Sequence, residues 1–291
     1  MSIPSIILSE LQHLELDAEF SGSLPRIRSS SGRVYFAKLG SSRDAEQWAG
    51  EAASLKDMHA AARGLAPHLL SFGIANNSSP YFISEYKDIG RLSDGTARTL
   101  ATRLASELHV HTSRKGFGFE IPTYCGATRL KNGWFNTWSE CYASMLRDMV
   151  SQLRKGRGHP ELCNKTDEVI ETVIPKLLGP LQVQPVLLHG DLWSGNVGVD
   201  QATGEPVIYD PASYYGHNEA DLGIARMFGG FPDSFFIEYH QIIPKSEPVE
   251  QYELRAELYE FFHHLNHTLL FGGSYARSAI SKLDKLISAN L

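Results

Sequence analysis

Residues 186–211 limit what this chain can fold into more than any other stretch. Val186-Leu187-Leu188 is a short apolar run, His189-Gly190-Asp191-Leu192-Trp193-Ser194-Gly195-Asn196 a polar loop, and Val197-Gly198-Val199 a second run. A turn containing Gly204 follows, after which Val207-Ile208-Tyr209 runs into Asp210-Pro211. The pattern predicts strand, loop, strand, turn, strand. One carboxylate that can orient and deprotonate a hydroxyl, with an amide oxygen and a second carboxylate that can hold a hard cation, is the set that phosphoryl transfer from Mg-ATP requires. An Asp-x4-Asn pair alone is common in hairpins carrying incidental carboxylates. The flanking strands make it a candidate catalytic loop, with Asp191 as base and Asn196 and Asp210 as Mg2+ ligands.

The spacing resembles the catalytic and metal loops of protein-kinase-like enzymes. A β-rich region precedes it. Residues 26–28 and 33–39 read as strands around the turn Ser29-Ser30-Ser31-Gly32, with Lys38 near the end of the second. Asp44 reads as the cap of a helix running to about residue 63, in which Trp48, Ala52, Leu55 and His59 recur at helical spacing. Glu51 falls inside that apolar stripe. A carboxylate there is costly unless paired, and Lys38 is the candidate partner; the alternative is a half-exposed Glu on an amphipathic helix. Residues 69–74 and 81–86 read as further strands around the turn Asn76-Asn77-Ser78-Ser79-Pro80. Lys87-Asp88-Ile89-Gly90 reads as a linker, so that backbone groups of Glu85 and Tyr86 would meet adenine. Helices are expected from Ser93 or Asp94, over residues 142–153, and over residues 165–178.

The expectation is an α/β (α+β) two-lobe protein-kinase-like fold. Residues 1–86 form a nucleotide-binding lobe with a small antiparallel sheet, and residues 87–291 a larger, mostly helical catalytic and substrate lobe. A chain of 291 residues with 42% hydrophobic content is long enough for both. A net charge of −6 argues against a nucleic-acid or anionic-membrane surface. Cys125, Cys141 and Cys163 have no metal or CxxC spacing and read as free thiols of a cytoplasmic protein. No targeting segment is visible, and no run approaches the ~20 apolar residues of a membrane span. Nothing in the sequence sets an oligomeric state.

Several motifs together resemble the fructosamine kinase (ketosamine 3-kinase) family, from about Phe20 to the C-terminus. They are His189 to Asn196, Asp210-Pro211-Ala212, Tyr215-Gly216-His217-Asn218-Glu219-Ala220-Asp221-Leu222 and Met227-Phe228-Gly229-Gly230-Phe231. Phe117-Gly118-Phe119, Asn132-Gly133-Trp134 with Trp138, His264-Leu265-Asn266-His267 and Phe271-Gly272-Gly273-Ser274-Tyr275 complete the set. The resemblance implies ATP and Mg2+ as cofactors. It implies phosphorylation of the 3-hydroxyl of ketosamines, ribulosamine or fructosamine adducts on small amines or on glycated protein lysines, and decay of the product to free amine. It leans toward ribulosamine, which differs by one hydroxymethyl group worth only ~1–3 kcal/mol. Competing readings are a phosphotransferase for an aminoglycoside or choline, and a catalytically silent kinase-fold scaffold.

On the resemblance, Lys38 oriented by Glu51 contacts the phosphates, and Asp221 braces the catalytic loop. Trp193, Trp134 and Tyr214 line the substrate pocket. The nucleotide loop departs from the family pattern: Phe20-Ser21-Gly22-Ser23-Leu24-Pro25 has a single glycine, leaving Ser21, Gly22 and Ser23 as the candidate phosphate contacts. Trp193 is either a packing anchor or a platform for a sugar ring. His189 reads as a brace of the loop rather than a proton carrier. His109 and His111 point apart if helical. His263 and His267 have zinc-like spacing but no evident third ligand, and their aromatic neighbours favour core packing. Gly190 stands where phosphorylation-regulated kinases carry Arg, and only eight residues separate Asp210 from Glu219, which suggests a constitutive enzyme.

Overall fold

The computed structural model describes residues 2–76, 78–156 and 158–291. Five strands, β1 (Phe20–Ser23), β2 (Arg26–Ser29), β3 (Val34–Leu39), β4 (Leu69–Ile74) and β5 (Pro80–Glu85), form one antiparallel sheet in the order β1-β2-β3-β5-β4. Asn77, in the turn expected before β5, lies outside the described residues. One sheet face carries α1 (Ser5–Leu14), which the sequence reading missed. Ile7 and Leu11, one turn apart, bury completely against Ile27, Tyr35, Ala37 and Ile83. Each such side chain contributes about 1.5–3 kcal/mol. The other face carries α2 (Ala45–Ala61).

Asp44 does not cap α2 with its side chain. Its carboxylate accepts from Ser41 N at 2.7 Å and Ser41 Oγ at 2.9 Å, closing the 3-10 turn Ser42–Asp44 ahead of the helix. Residues 87–90, expected as the linker between lobes, also pair with the larger lobe. β6 (Ile89–Gly90) pairs with the later strand at residues 197–200, and Lys87 Nζ bonds Glu85 Oε1 at 2.7 Å and Asp200 Oδ2 at 3.1 Å. The crossing between lobes is thereby tied down.

The larger lobe continues with α3 (Asp94–Ser106), β7 (Phe117–Phe119), β8 (Thr123–Cys125), β9 (Thr128–Leu130), β10 (Gly133–Phe135) and α4 (Trp138–Lys155). Ser93 and Thr96 cap α3 reciprocally, and Thr137 Oγ1 caps α4 by accepting from Glu140 N at 3.2 Å. The helix expected over residues 165–178 starts earlier, because Pro160 initiates α5 (Pro160–Glu168). A π turn over Val169–Val173 then leads into α6 (Ile174–Leu177). β11 (Val186–Leu188), β12 (Val197–Asp200), β13 (Pro206–Ile208) and β14 (Tyr214–Gly216) follow as expected, except that β14 was not foreseen. They sort into two sheets, β10-β7-β14-β11 and β13-β12-β6. α7 (Glu219–Met227), α8 (Asp233–Ile242), α9 (Tyr252–Phe271) and α10 (Ser274–Ser288) complete the chain. No helix among the described residues is long and apolar enough to cross a membrane.

Buried polar groups hold this lobe in register. Arg255 on α9 is fully buried and grips Glu219 with Nε to Oε2 at 2.7 Å and Nη2 to Oε1 at 3.2 Å. Its remaining N–H groups reach the carbonyls of Ser246 (2.6 Å) and Pro248 (3.0 Å). His217 bridges Tyr259 and Ser246, each at 2.8 Å. The Tyr215-to-Leu222 motif is therefore largely a folding element.

Replacing Arg255 with Met leaves Glu219 charged and unpaired in the interior. The expected loss is about 3–5 kcal/mol of unfolding free energy, measured by urea denaturation. A loss under about 1 kcal/mol would show the pair to be dispensable.

Candidate active site

β11 ends at Leu188, and the chain must turn at once to present Asp191. Gly190 makes that turn with φ +81°, and a Cβ there would lie 2.2 Å from the Ala212 carbonyl oxygen. An arginine could not occupy this position without moving the metal-side loop. The Asp221 carboxylate receives the two preceding amides, His189 N at 2.7 Å on Oδ2 and Gly190 N at 2.8 Å on Oδ1. His109 Nε2 adds a third contact at 3.2 Å, while its Nδ1 takes the Tyr239 hydroxyl at 2.7 Å. Burial raises the Asp221 carboxyl's pKa, but the hydrogen bond and charge of His109 and the neighbouring donors outweigh it and hold the group below its usual range.

His189 Nε2 donates to the Tyr209 carbonyl at 3.0 Å, so its Nδ1 is the acceptor for Asp191 N at 3.2 Å. That is a brace between the two loops. Asn196 Nδ2 donates to Asp191 O at 3.0 Å and Oδ2 at 3.3 Å, leaving its amide oxygen for a cation. Asp210 sits at φ +54°, a strained conformation for a non-glycine residue. Burial pushes the Asp191 carboxyl up to about 6, against the hydrogen bonds from Cys125 and Asn196 that favour its ionised form.

Two neighbouring cavities meet at Glu51 and Asp210. One, of about 370 Å³, is lined by Lys38, Trp48, Tyr124, Asp191, Trp193 and Asn196 among others. The second, of about 330 Å³, is walled by Pro25, Phe36, Leu55, Phe82, Ile89 and Tyr209. Lys38 Nζ bonds Glu51 Oε2 at 2.6 Å. Burial raises the Glu51 pKa, and the Lys38 charge opposes that rise. Asn196 and Asp210 bring hard oxygen donors to the cavity that also holds Lys38, a donor set that fits Mg2+ beside phosphate.

α2 is bolted to the larger lobe along one face. Glu46 receives Arg129 Nε at 2.7 Å and Nη2 at 2.8 Å, and Gln47 Nε2 reaches Gly126 O at 3.2 Å. At Gly50 an added Cβ would come within 2.5 Å of the Pro122 carbonyl. Ser54 Oγ accepts from Ser213 N at 3.2 Å, and Asp57 Oδ2 accepts from the Tyr215 hydroxyl at 3.2 Å.

Not every expected residue is here. Tyr214, expected to line the substrate pocket, is buried, stacked on Trp138 at 6.3 Å and 9°, and does not line the cavity that holds Asp191. Trp134 lies on β10, paired with β7, and borders a separate cavity with Asp57, Phe119 and Tyr215. Ser21, Gly22 and Ser23 lie on β1, paired with β2, and do not line either cavity; of residues 20–25, Pro25 does. At the crossing, Glu85 N is spent on His68 O (2.9 Å) and Tyr86 N on Val34 O (3.3 Å). Glu85, Tyr86 and Lys87 all line the second cavity. Trp48, Gln47 and Tyr124 were missed as cavity residues, Trp48 having been read as core. Trp193 does line the cavity with Asp191, 37% exposed, with its ring set edge-to-face on Phe228 at 5.8 Å.

Residues 22–289 match the fructosamine kinase family model. The chain is 37% identical over 253 residues to a chloroplastic protein-ribulosamine 3-kinase of Arabidopsis thaliana, covering 86% of this chain and 75% of that protein. It is 34% identical over 281 residues to a ketosamine-3-kinase of Mus musculus, covering 88% of each. The solved structure of a candidate fructosamine-3-kinase from Thermobifida fusca superposes with a TM-score of 0.78 at 24% identity, over 94% of this chain and 93% of that one, which carries the fold. On a matched span of nearly its whole length and on relatives above 30% identity, this chain belongs to the fructosamine kinase family.

Proposed function

We propose that this protein is an ATP-dependent ketosamine 3-kinase, acting on ribulosamine or fructosamine adducts of small amines or of protein lysines. The observation that carries the reading is one cavity in which an acid-base carboxylate, two metal-capable oxygen donors and a half-exposed indole face each other, in a chain of this family. Residues 1–86 hold the nucleotide, and residues 87–291 supply the chemistry and the acceptor site. The adenine occupies the cavity walled by Phe36, Leu55 and Phe82, against the Tyr86 carbonyl and the Lys87 amide. Lys38, steered by Glu51, meets the phosphates. Asn196 and Asp210 hold Mg2+, which neutralises phosphate charge when bound.

Asp191 takes the proton of the sugar's 3-hydroxyl as the hydroxyl oxygen attacks the terminal phosphorus of ATP, the bond to the β-phosphate oxygen breaks and ADP leaves. A pKa near 6 keeps the carboxylate ionised at neutral pH yet basic enough to share that proton. Trp193 meets the apolar face of the sugar. Because it stands at the exposed rim, the amine end of the adduct points outward, which allows a lysine of an intact protein as carrier. Elimination then breaks the C3–O bond and expels inorganic phosphate, and water cleaves the remaining carbon–nitrogen linkage, releasing the sugar as a deoxy-dicarbonyl and freeing the amine, a deglycation. Three free, buried cysteines support a reducing, cytoplasmic setting.

Asp191 binds its proton more tightly folded than unfolded, so stability falls as pH rises from about 4 toward 6, and the cost is fully present above that. Asp191→Asn should therefore raise Tm by roughly 3–6 °C at pH 7.5. It should also cut turnover by roughly 10²–10⁴-fold with the KM for ATP little changed. Wild-type kcat/KM should fall below a pH of about 6. Turnover within tenfold of wild type in the Asn variant removes Asp191 from the mechanism.

Asp210→Ala should abolish the Mg2+-dependent part of nucleotide affinity, read as the Kd for ATP with and without Mg2+. An unchanged ratio puts the metal elsewhere.

Glycated lysozyme incubated with enzyme and Mg-ATP should gain a phosphate and then lose the whole adduct, followed by intact-mass spectrometry. Trp193→Ala should lower kcat/KM for a ribulosamine-lysine adduct by roughly tenfold while sparing the KM for ATP. No mass change, with an aminoglycoside or choline phosphorylated in parallel, overturns the ketosamine assignment.

A further inference from the structure

Cys125 lies at the end of β8, Asp191 in the catalytic loop and His263 in the middle of α9, yet one ligand atom from each gathers within 4.8 Å of the others. Thiol, carboxylate and imidazole are the donor types of a three-ligand zinc site, and sulfur with nitrogen selects against Mg2+. The surroundings are short of partners. His263 is 3% exposed and its Nδ1 has no hydrogen-bond partner among the described residues. Asn266, whose Nδ2 donates to Cys125 Sγ at 3.1 Å, leaves its buried Oδ1 equally unpaired. Orphaned buried polar atoms are costly, and a cation bound among them offers such atoms a partner. Access exists, since Asp191 and both neighbours of Cys125, Tyr124 and Gly126, line the catalytic cavity.

We propose that Cys125, Asp191 and His263 form an inhibitory site for Zn2+ or a similarly soft divalent ion, distinct from the Asn196 and Asp210 pair. Burial keeps the His263 imidazole neutral, the form that ligates, and holds the Cys125 thiol well above its usual range, so the metal itself must drive the thiol's deprotonation. On binding, the Cys125 S–H bond breaks, the sulfur gives its electron pair to the metal and the proton passes to solvent. No electron is transferred, zinc having no redox chemistry. An Asp191 carboxylate held by the ion cannot accept a hydroxyl proton, so turnover stops even with nucleotide bound. The site exists whether or not the acceptor is a ketosamine.

The test begins with nucleotide-free, Mg-free protein. Calorimetric titration should show Zn2+ binding with proton release, and Co2+ should give a thiolate-to-cobalt charge-transfer absorption. Cys125→Ala should abolish that absorption, and His263→Gln should weaken Zn2+ binding by roughly tenfold or more. Cys141→Ala should retain both properties. In assays at millimolar Mg2+, each protein is compared with its own zinc-free rate. Zn2+ buffered at a fixed micromolar free concentration should inhibit the wild type in a way that added Mg-ATP does not relieve, and should spare Cys125→Ala. Absence of the cobalt-thiolate band in the wild type overturns the site, and this readout needs no variant to fold. Equal zinc binding by Cys125→Ala, or binding without inhibition, overturns it as well. The cobalt spectrum fails or succeeds independently of any sugar assay, so it separates this proposal from the ketosamine reading.

Discussion

The Asp221 carboxylate is the constraint on which the site depends. Two consecutive amides of the catalytic loop end on its two oxygens, at 2.7 and 2.8 Å, in an interior where either amide alone would be an orphan. His109, Tyr239 and Asn218 close the network behind it. Because both oxygens are occupied, the loop cannot rotate about Gly190 without stranding a charge in the core. The direction of Asp191 follows from that, and through Asn196 and His189 so does the spacing to Asp210.

A second restraint acts on the smaller lobe. The adjacent Glu46 and Gln47, then Gly50, Ser54 and Asp57 at three- and four-residue intervals, all meet the larger lobe. They fix α2 rigidly against β8 and the segment after Asp210, which in turn holds Glu51 where Lys38 needs it. In kinases controlled by helix movement this contact is made and broken. Here Gly50 lets the two backbones approach too closely for a side chain, and no arginine stands before Asp191. Both features favour an enzyme that is permanently assembled.

The sequence made some of this legible and concealed the rest for a specific reason. Apolar periodicity exposed the sheet, α2 and the Lys38 and Glu51 pairing. The α2 face that docks on the larger lobe is polar, so periodicity alone assigns it to solvent. Cys125 and His263 lie 138 positions apart and share no motif spacing, which is why the histidine looked like core without a third ligand. Tyr214 and Trp134 were drawn toward the substrate by motif proximity, although strand pairing turns one into the core and the other to a different cavity.

What the sequence by itself determined is the local chemistry. A strand, a glycine turn and the order Asp191, Asn196, Asp210 place two carboxylates and an amide, the groups proposed as base and oxygen donors, within one supersecondary unit whose spacing is covalent. Only the tertiary structure decided which aromatic rings share that cavity, which main-chain groups at residues 85–87 remain available, and that a thiol and an imidazole stand beside the base. These depend on α2, β8 and α9 arriving at one point, and the free energy of their packing is spread over contacts between residues far apart in the chain.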